Sequence, residues 1–483
     1  MLCFFCPVTG FFSPLSNALC RDMLCGRQRK DFIMSVQIYS TVRDRNDRLT
    51  RQKDREFVPR HECIEDHDRG VVVDDAVHFQ EIEGFGGAMT ESAAWVIAQM
   101  PPMRQKEIFD AYFSGLGYNY VRIHMNSCDF SLENYSYVAD NDTELETFSI
   151  AREERYVIPA LREAWKRSPE MRLYFSPWSP PAWMKTNGEM NHGGHLKPEY
   201  RALWAEYYCR FIEELEKRNC PVWGLSVQNE PMANQCFDSC VWTGREEMEF
   251  VRDYLGPALE RHGFGDRKLM VFDHNRDQAY RRATTVYNDP EASKYVWGAA
   301  IHWYEGYCGS EMSYALSDLH FRYPEKKIFF SEGCNGGNNR HLGSWEAGER
   351  YSSAIINDMN HFCCGWTDWN IVLDIATGGP RHVPNACGAP ILCDIENGTV
   401  HYQPGFWHIG HISRFVKRGA RRIIASPEIA ALKTAAFENP DGEIVVVVQN
   451  ATDSEFNWHL HFHGQTLERT AFAHSIETFC FPK

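Results

Sequence analysis

Short apolar runs alternate with longer amphipathic segments between about residues 84 and 412 of the 483-residue chain. An apolar run of about four to eight residues is typical of a strand buried on both faces. Residues 198–218 show the other pattern, because Tyr207, Phe211 and Leu215 recur there at helical spacing. The apolar runs predict eight strands, at 84–90, 119–125, 172–176, 222–227, 268–272, 296–302, 327–330 and 365–372. Eight strand–helix units predict an α/β fold, a closed (β/α)8 TIM barrel.

The chain after the barrel has a different pattern, with β-branched or alternating runs and no helical segment between them. The turn sequence Asn439-Pro440-Asp441-Gly442 separates the first two of these runs. They predict antiparallel strands at 435–437, 443–449, 455–462 and 470–481. A further run at 70–80 is expected to join them in a side β-sandwich built from N-terminal and C-terminal strands. The predicted divisions are 34–83 for N-terminal sandwich strands, 84–412 for the barrel and 413–483 for C-terminal sandwich strands.

Polar and aromatic residues follow the predicted barrel strands from the second to the eighth, at the ends where a TIM barrel carries its chemistry. A single charged residue at a strand end is most often a capping or surface group. Such residues at every one of these ends indicate a site. They are Arg122, His124 and Asp129; Trp178 and Trp183; Asn229 and Glu230; Asp273, His274 and Asn275; His302, Trp303 and Tyr304; Glu332; and Trp366, Asp368, Trp369 and Asn370.

Two carboxylates stand out, because Glu230 and Glu332 follow the fourth and seventh strands, which face each other across the barrel. A pair of carboxyl groups is what the cleavage of a glycosidic bond requires. A separation of about 5–5.5 Å gives retention of anomeric configuration and about 6.5–9.5 Å gives inversion, and the sequence leaves both open. Asn229 is able to bond a sugar hydroxyl, and Tyr304 and Arg122 are expected to keep Glu332 ionised.

Composition narrows the classes of partner. The formal net charge is −15 and no large basic block is present, so the chain is not expected to bind nucleic acid. Aromatic residues make up 13% of the chain and include 14 tryptophans, which suits stacking against the faces of sugar rings. A carbohydrate or glycolipid is therefore the expected partner, and the oligomeric state is left open.

Neither a metal nor a cofactor is expected. The 17 cysteines are scattered, and the pairs Cys236/Cys240 and Cys363-Cys364 have no second pair at zinc-finger spacing, so buried reduced thiols are predicted. His192 and His195 have no third ligand nearby, which favours a substrate-loop or surface role. The segment Gly84-Phe85-Gly86-Gly87 lacks the spacing of a dinucleotide loop, and its glycines are expected to let backbones pass closely at the start of the barrel.

The first 33 residues are interpreted as an extension that does not belong to the native protein or is disordered. Pro7, Gly10 and Pro14 interrupt the apolar stretch, and no cleavage site follows it, so no signal peptide is predicted. No run reaches the roughly 18 apolar residues that cross a bilayer, so no transmembrane anchor is expected. A cytoplasmic, bacterial location is favoured over secretion.

Seven motifs in one order closely resemble family 30 glycoside hydrolases, the family of lysosomal glucosylceramidase and of bacterial and fungal β-1,6-glucanases. They are Gly84-Phe85-Gly86-Gly87-Ala88-Met89-Thr90, Ser127-Cys128-Asp129-Phe130-Ser131, Ser176-Pro177-Trp178-Ser179-Pro180-Pro181-Ala182-Trp183-Met184-Lys185-Thr186-Asn187-Gly188, Gln228-Asn229-Glu230-Pro231, His302-Trp303-Tyr304, Ser331-Glu332-Gly333-Cys334 and Gly365-Trp366-Thr367-Asp368-Trp369-Asn370. The resemblance implies the barrel and side sandwich, retaining hydrolysis, Glu230 as general acid/base and Glu332 as nucleophile. It also implies a subsite for the terminal glucose. The predicted substrate-binding residues are Asp129, Trp178, Asn229, His302, Tyr304, Trp369 and Asn385, with Arg122 in support.

The substrate is less well defined by the sequence. The loop at 232–244 and the segment at 273–277 look more like the bacterial glucanase-like branch than the lysosomal enzyme, so ceramide recognition is not carried over. We expect a retaining β-glycosidase that acts on β-glucosyl bonds, as a glucosylceramidase does. The alternatives are an endo- or exo-β-1,6-glucanase or another β-glycosidase and, from a different class, a carbohydrate-binding protein on an inactive barrel. The presence of both Glu230 and Glu332 argues against the last, because a binding protein needs neither.

Overall fold

Eight parallel strands close into a barrel, as the pattern of apolar runs predicts. The structure, a computed structural model, describes residues 34–59, 69–336 and 341–483, so the predicted extension at 1–33 lies outside the described residues. Nearly every strand residue is buried, because helices cover the barrel from outside. The barrel strands are Gly84–Ala88, Tyr120–Met125, Arg172–Pro177, Val222–Ser226, Lys268–Asn275, Val296–His302, Lys327–Glu332 and Gly365–Asn370.

Six of these strands end one to three residues away from their predicted positions, and three of the differences have a structural consequence. The first stops before Thr90, whose side chain accepts a hydrogen bond from the backbone N–H of Ala93 and caps the following helix. The fifth continues to Asn275, beyond the predicted end at residue 272. The eighth stops at Asn370, and Val372 begins a small separate sheet formed by Val372–Asp374, Ile391–Asp394 and Thr399–Tyr402.

Helices connect the barrel strands along the chain. The amphipathic segment at 198–218 forms the helix Arg201–Lys217, which buries Tyr207, Phe211 and Leu215 as expected. The α-helices are Glu91–Gln99, Pro102–Phe109, Val157–Arg167, Arg201–Lys217, Gly244–Phe250, Gly256–Arg261, Ala279–Tyr287, Pro290–Ser293, Tyr314–Arg322, Trp345–Asn360 and Pro404–Ser413. Two π-helical segments, Asp110–Gly115 and Val251–Leu255, continue from two of them, and short 3₁₀ turns occupy Glu153–Arg155, Ala182–Met184, Pro198–Tyr200, Arg276–Gln278 and Glu305–Cys308.

The glycines of the first barrel strand permit close backbone approach, as predicted. A Cβ atom on Gly86 would lie 2.0 Å from the carbonyl oxygen of Tyr120, and one on Gly87 would lie 2.3 Å from a carboxylate oxygen of Asp368. Any side chain at these two positions would push the first strand away from its neighbours. The motif therefore has a packing role.

The remaining strands form the side sandwich. Arg421–Pro427 pairs through its first half with Leu432–Glu438 and through its second half with Gly70–Asp74, so it passes from one layer to the other. The run at 70–80 thus joins the C-terminal strands as expected, although its strand ends at Asp74. The sandwich strands are Ser35–Val42, Thr50–Arg51, Arg55–Glu56, Val58–Pro59, Gly70–Asp74, Arg421–Pro427, Leu432–Glu438, Glu443–Asn450, Phe456–Phe462, Gln465–Ala471 and Ser475–Pro482.

One predicted sandwich strand is wrong. The segment at 470–481 is two strands, Gln465–Ala471 and Ser475–Pro482, with a turn between them in which His474 has a φ of 49°. The apolar residues Ala471, Phe472 and Ala473 lead into this turn without a glycine or proline, so the pattern alone does not reveal it. The predicted divisions at 83/84 and 412/413 stay predictions.

The strand Glu443–Asn450 shows how the two parts pack. Ile444 and Val446 lie in the core of the sandwich, whereas Val445 and Val447 belong to the core shared with the barrel. Alternate residues of a strand point to opposite faces, so this sheet is covered on both sides. Within the described parts of the chain, none of the helices has the length and apolar character needed to cross a membrane.

Candidate active site

A cavity of about 470 Å³ opens at the carboxyl ends of the barrel strands. Several barrel strands or the segments after them contribute to its walls. The lining residues are Asp129, Trp178, Asn229, Glu230, Met232, Ala233, Gln235, Phe237, His274, Asn275, Tyr304, Tyr307, Glu332, Cys334, Trp369, Asn385 and Cys387. Carboxylates, amides and aromatic rings thus converge on one space, which is the arrangement that ligand-binding pockets use.

Arg122 lies at the base of this site, and its side chain is fully buried. Its guanidinium donates to Glu332 at 2.5 Å, to Asp273 at 2.9 Å and to the side-chain oxygen of Asn229 at 2.9 Å. The guanidinium also lies 4.9 Å from the ring centroid of Trp178. Burial alone would lower the pKa of Arg122, but the charges of Asp273 and Glu332 raise it, so the cation is retained. A single cation therefore orients one carboxylate and one amide of the cavity wall.

His302 connects two carboxylates. Its Nε2 lies 2.9 Å from Asp273 and its Nδ1 lies 3.3 Å from Glu230. Burial opposes a charge on the imidazole, but the charges of Glu332 and Asp273 raise the pKa of His302 to about 9. Asp273 remains ionised, because the attraction of Arg122 and the hydrogen bond of His302 outweigh burial and lower its pKa.

The backbone at this end of the barrel departs from regular strand geometry. Glu230, Phe272 and Asp273 have φ values of 45°, 74° and 51°, in the left-handed region that non-glycine residues rarely adopt. The pairing of the fifth and sixth strands also shifts register between Phe272 and His274. The backbone N–H of Glu230 donates to the carbonyl of Asp273 at 2.9 Å. The strained segments therefore support each other and place both carboxylates beside His302.

Glu230 and Glu332 approach each other closely. One carboxylate oxygen of each, together with a ring nitrogen of His302, forms a group in which all atoms lie within 4.8 Å of one another. Glu332 accepts from Arg122 and also from the hydroxyl of Tyr304 at 3.0 Å. Glu230 has His302 as its side-chain partner.

Glu230, His302 and Glu332 change one another's pKa values. Burial raises the pKa of Glu332 and the charge of Glu230 adds to this, against the pull of His302 and Arg122. Burial acts on Glu230 in the same sense, but the hydrogen bond from His302 and the charges of His274 and His302 lower its pKa. The low pKa of Glu230 and the high pKa of His302 place the proton on the imidazole, whose Nδ1 lies 3.3 Å from the Glu230 carboxylate. Below about pH 9 the His302–Glu230 pair keeps that proton.

The cavity wall also holds a third carboxyl group and two stacked indoles. Asn385 donates its amide to Asp129 at 2.5 Å. Burial and the charge of Glu332 raise the pKa of Asp129 to about 8. The rings of Trp178 and Trp369 stack with centroids 5.2 Å apart. Such a wall offers both hydrogen-bonding groups and an apolar ring face.

The structure brings most of the predicted site residues together. Asp129, Trp178, Asn229, Glu230, Tyr304, Glu332, Trp369 and Asn385 all line the cavity, and Arg122 lies behind them. His302 is the correction, because its side chain is fully buried behind Glu230 and is not part of the cavity wall. Its contacts are with carboxylates rather than with the space for a ligand. Its position at a strand end is where the sequence placed it, but which neighbour it faces depends on the tertiary structure.

Sequence reasoning missed three serines that surround Asp273. The hydroxyls of Ser176, Ser226 and Ser331 all donate to its carboxylate. Each serine belongs to a barrel strand, near its carboxyl end. A small polar residue at the same level of three strands is the signal that would have found them.

Two further sequence observations concern metals and thiols. His192 and His195 are exposed and lie near Glu189 and Glu246, which agrees with the expected surface or loop role. The cysteines in the described parts of the chain are free. Among the described residues, the one group of three candidate metal ligands is Glu230, His302 and Glu332. The absence of a metal stays a prediction.

Comparison with known proteins identifies the family. The family model for the glycosyl hydrolase family 30 TIM-barrel domain matches residues 82–416, and that for the family 30 β-sandwich domain matches residues 419–479. The chain belongs to glycosyl hydrolase family 30. It is therefore a glycoside hydrolase, as its motifs predict.

Relatives of this chain are named as glucosylceramidases or as endo-1,6-β-glucanases. The chain is 37% identical to a lysosomal acid glucosylceramidase of Mus musculus over 395 residues, covering 78% of this chain and 76% of the relative. It is 24% identical to an endo-1,6-β-D-glucanase of Neurospora crassa over 426 residues, covering 83% and 86%. Over the aligned residues the identity to the glucosylceramidase is the higher. The resemblance of residues 232–244 and 273–277 to glucanases stays a prediction.

Solved structures agree with the fold. The structure of SrfJ from Salmonella typhimurium superposes with a TM-score of 0.89 at 32% identity, covering 93% of this chain and all of that one. The structure of the endo-β1,6-glucanase BT3312 superposes with a TM-score of 0.83 at 25% identity and the same coverage.

Proposed function

We propose that this glycoside hydrolase is a retaining β-glycosidase that cleaves β-glucosyl bonds by double displacement. The observation that carries the proposal is the approach of Glu230 and Glu332, whose nearest oxygens lie within 4.8 Å. Retaining enzymes hold their carboxyl groups about 5–5.5 Å apart, and inverting enzymes need about 6.5–9.5 Å for an intervening water. The short separation favours direct attack by one carboxylate on the sugar.

Glu332 is the proposed nucleophile. It accepts hydrogen bonds from Arg122 at 2.5 Å and Tyr304 at 3.0 Å, and both favour its ionised form. Burial and the charges of Glu230 and Asp273 oppose ionisation of Glu332, and the repulsion from Glu230 disappears when the proton of His302 moves to Glu230. The resting site then contains one carboxylate and one carboxylic acid.

Glu230 is the proposed acid and base. When Nε2 of His302 donates to Asp273, Nδ1 is free to exchange the proton with Glu230. Glu230 gives this proton to the departing oxygen when Glu332 forms the glycosyl ester, and recovers one from water when the ester is hydrolysed. Loss of the negative charge of Glu332 in the ester favours the ionised, base form of Glu230 for the second step.

The proposed sugar subsite is the part of the cavity lined by Asp129, Asn385 and the two stacked tryptophans. Asp129 and Asn385 offer hydrogen bonds to adjacent hydroxyls, Asn229 offers its amide, and Trp178 and Trp369 offer ring surface. Asn229 is held by Arg122 through its side-chain oxygen, so its NH₂ group is the part available to a sugar hydroxyl. Rigid positioning of this kind lowers the entropic cost of bringing the anomeric carbon to Glu332.

The leaving group is expected on the Glu230 side, beside the loop after the fourth strand. Met232 and Phe237 line the cavity here, and Met232 is 40% exposed. This apolar surface, with the 37% identity to a glucosylceramidase, supports a β-glucoside with an apolar aglycone as the substrate. The second candidate is a β-1,6-linked glucan, which the similarity to two endo-1,6-glucanases supports.

Stereochemistry tests the proposal directly. Hydrolysis of an aryl β-glucoside is expected to release β-glucose first, as followed by NMR before mutarotation. Initial release of α-glucose would refute the retaining mechanism.

Replacement of the acid/base gives a second test. Glu230→Ala is expected to slow substrates with poor leaving groups about 10²–10⁴-fold while affecting activated aryl glucosides far less, because only the former need a proton from the enzyme. Added azide is expected to restore turnover of the activated substrate. Equal loss on both substrates, without azide rescue, would remove Glu230 from this role.

A substrate panel separates the two candidates. Glucosylceramide in detergent is compared with gentiobiose and pustulan, which contain β-1,6 bonds. We expect a higher kcat/KM on glucosylceramide than on gentiobiose or pustulan. A higher kcat/KM on pustulan would instead support the glucanase function.

A further inference from the structure

Two cysteines that are far apart in the sequence meet on the wall of the active-site cavity. Cys334 follows Glu332 by two positions, and Cys387 follows Asn385 by two. The backbone joins the two segments, because Gly336 pairs with Cys387 in an antiparallel bridge and the N–H of Gly388 donates to the carbonyl of Asn335 at 2.7 Å. The pair is therefore positioned by hydrogen-bonded backbone on both sides.

The two cysteines lie close to each other and, through Tyr304, to the catalytic group. Cys334 and Cys387 belong to the same buried cluster, and both line the cavity. The hydroxyl of Tyr304 lies 3.3 Å from the sulfur of Cys334 and donates to Glu332 at 3.0 Å. Both cysteines line the cavity, although only 4% of Cys334 and 8% of Cys387 is exposed. A small ion that enters the cavity therefore reaches both sulfurs.

The carboxyl groups of Asp129 and Glu332 lie near the thiols. The neighbouring Cys334 thiol, burial and the carboxylates of Asp129 and Glu332 all raise the pKa of Cys387. Such surroundings disfavour attack by a bare thiolate and also disfavour anionic thiol reagents. They favour a cation, because a metal ion compensates the charge of the sulfurs it binds.

We propose that Cys334 and Cys387 form a binding site for a soft, thiophilic metal cation of the Cd(II), Hg(II) or Cu(I) class. Paired cysteine sulfurs select such cations over Mg(II) and Ca(II), which prefer oxygen ligands. For a divalent ion the balance is two S–H groups and one M(II) giving one S–M–S unit and two protons released to solvent. No electrons are exchanged.

Metal binding at this pair has a consequence for catalysis, which rests on the proposed role of Glu332. A cation on Cys334 would lie beside the hydroxyl of Tyr304 and attract the carboxylate of Glu332. It would also occupy part of the sugar subsite. The bound metal is therefore expected to inhibit turnover, and removal by a chelator is expected to restore it.

The first measurement is binding, which is independent of activity. Cd(II) is added to the full chain while the ultraviolet thiolate-to-metal charge-transfer absorbance is followed, with Ca(II) as the control ion. Because the chain contains other cysteines, the site is measured as the difference between the parent and a Cys387→Val variant. The parent is expected to bind one more equivalent of Cd(II) through sulfur than Cys387→Val. Equal absorbance in both would overturn the proposal.

The second measurement is inhibition by Cd(II) of aryl β-glucoside hydrolysis. Loss of one sulfur ligand is expected to weaken inhibition at least about tenfold in Cys387→Val. Variants of two exposed cysteines, Cys236→Ser and Cys308→Ser, are expected to keep the sensitivity of the parent. If Cys387→Val does not fold, as judged by circular dichroism, Cys387→Ser takes its place.

The outcomes distinguish the possible sites. Equal inhibition of the parent and the Cys387 variants, with no difference in absorbance, would place the metal on Glu230, His302 and Glu332 and would overturn the dithiol site. A difference in absorbance without inhibition would support the metal site and count against the proposed nucleophile instead.

Discussion

The mouth of the barrel and the core of the sandwich bury opposite kinds of side chain. The sandwich core consists of apolar residues such as Ile444, Val446 and Leu460, on strands whose alternation matches their two faces. The barrel mouth buries the charged side chains of Arg122 and Asp273 completely. It also holds the backbone of Glu230 in the left-handed region. The sandwich core follows the usual rule that apolar side chains are buried. The barrel mouth departs from that rule, because it buries charged side chains.

This difference separates residues that stabilise from residues that act. Burying an apolar side chain contributes about 1.5–3 kcal/mol, whereas burying a charge costs free energy unless a partner compensates it. At the mouth, each charge has such a partner, with Arg122 against Asp273 and Glu332, and His302 against Asp273 and Glu230. The network is therefore stable as a whole, although no single member is favourable alone. Four predictions test this contrast, in descending order of expected effect.

Glu332→Gln is expected to reduce kcat on an aryl β-glucoside by about five orders of magnitude, because the amide cannot form the glycosyl ester. The melting temperature is expected to stay near that of the parent, since Arg122 keeps its bond to Asp273. Steady-state kinetics and thermal denaturation measure the two effects. Turnover at the parental rate would exclude Glu332 as the nucleophile.

Arg122→Met is expected to lower the free energy of unfolding by about 3–5 kcal/mol, because Asp273 and Glu332 remain buried without their cation. Chemical denaturation measures the change. Arg122→Lys, which keeps the charge but not the planar fork, is the matched control and is expected to lose less stability. Unchanged stability in Arg122→Met would mean that the mouth tolerates unpaired charges.

Leu460→Ala is expected to lower the free energy of unfolding by about 2–5 kcal/mol, through the cavity it leaves in the sandwich core. Its kcat/KM below the melting transition is expected to equal that of the parent, since the residue has no part in the cavity wall. A large fall in kcat/KM of the folded protein would show that the two regions are coupled.

Activity is expected to fall about tenfold per pH unit above about pH 9, where the His302–Glu230 pair loses its proton. The pKa of His302 is raised above its ordinary value. The stability that it contributes is therefore fully present below that ordinary value and is lost as the pH rises through about 9. Profiles of kcat/KM and of melting temperature against pH measure both. A limb at the same pH in His302→Gln would assign the titration to another group.

Much of the fold could be predicted because its signals are local. Apolar runs bounded by polar residues predicted the barrel strands, and strand ends predicted where Glu230 and Glu332 lie. The prediction failed where local signals conflict, as at the turn near His474 inside a strand-like run. The sequence also did not predict the partners of His302, whose ring nitrogens face carboxylates from two other strands.

The sequence by itself determined the barrel, the sandwich and the two carboxylates, because side-chain periodicity and strand termination are properties of neighbouring residues. Only the tertiary structure decided that the oxygens of Glu230 and Glu332 approach within 4.8 Å. It likewise decided that Arg122 bonds groups from three other strand ends and that Cys387 and Cys334 line the same cavity. These contacts depend on how the strands are staggered around the barrel and how the loops return, and no single segment of the chain carries that information.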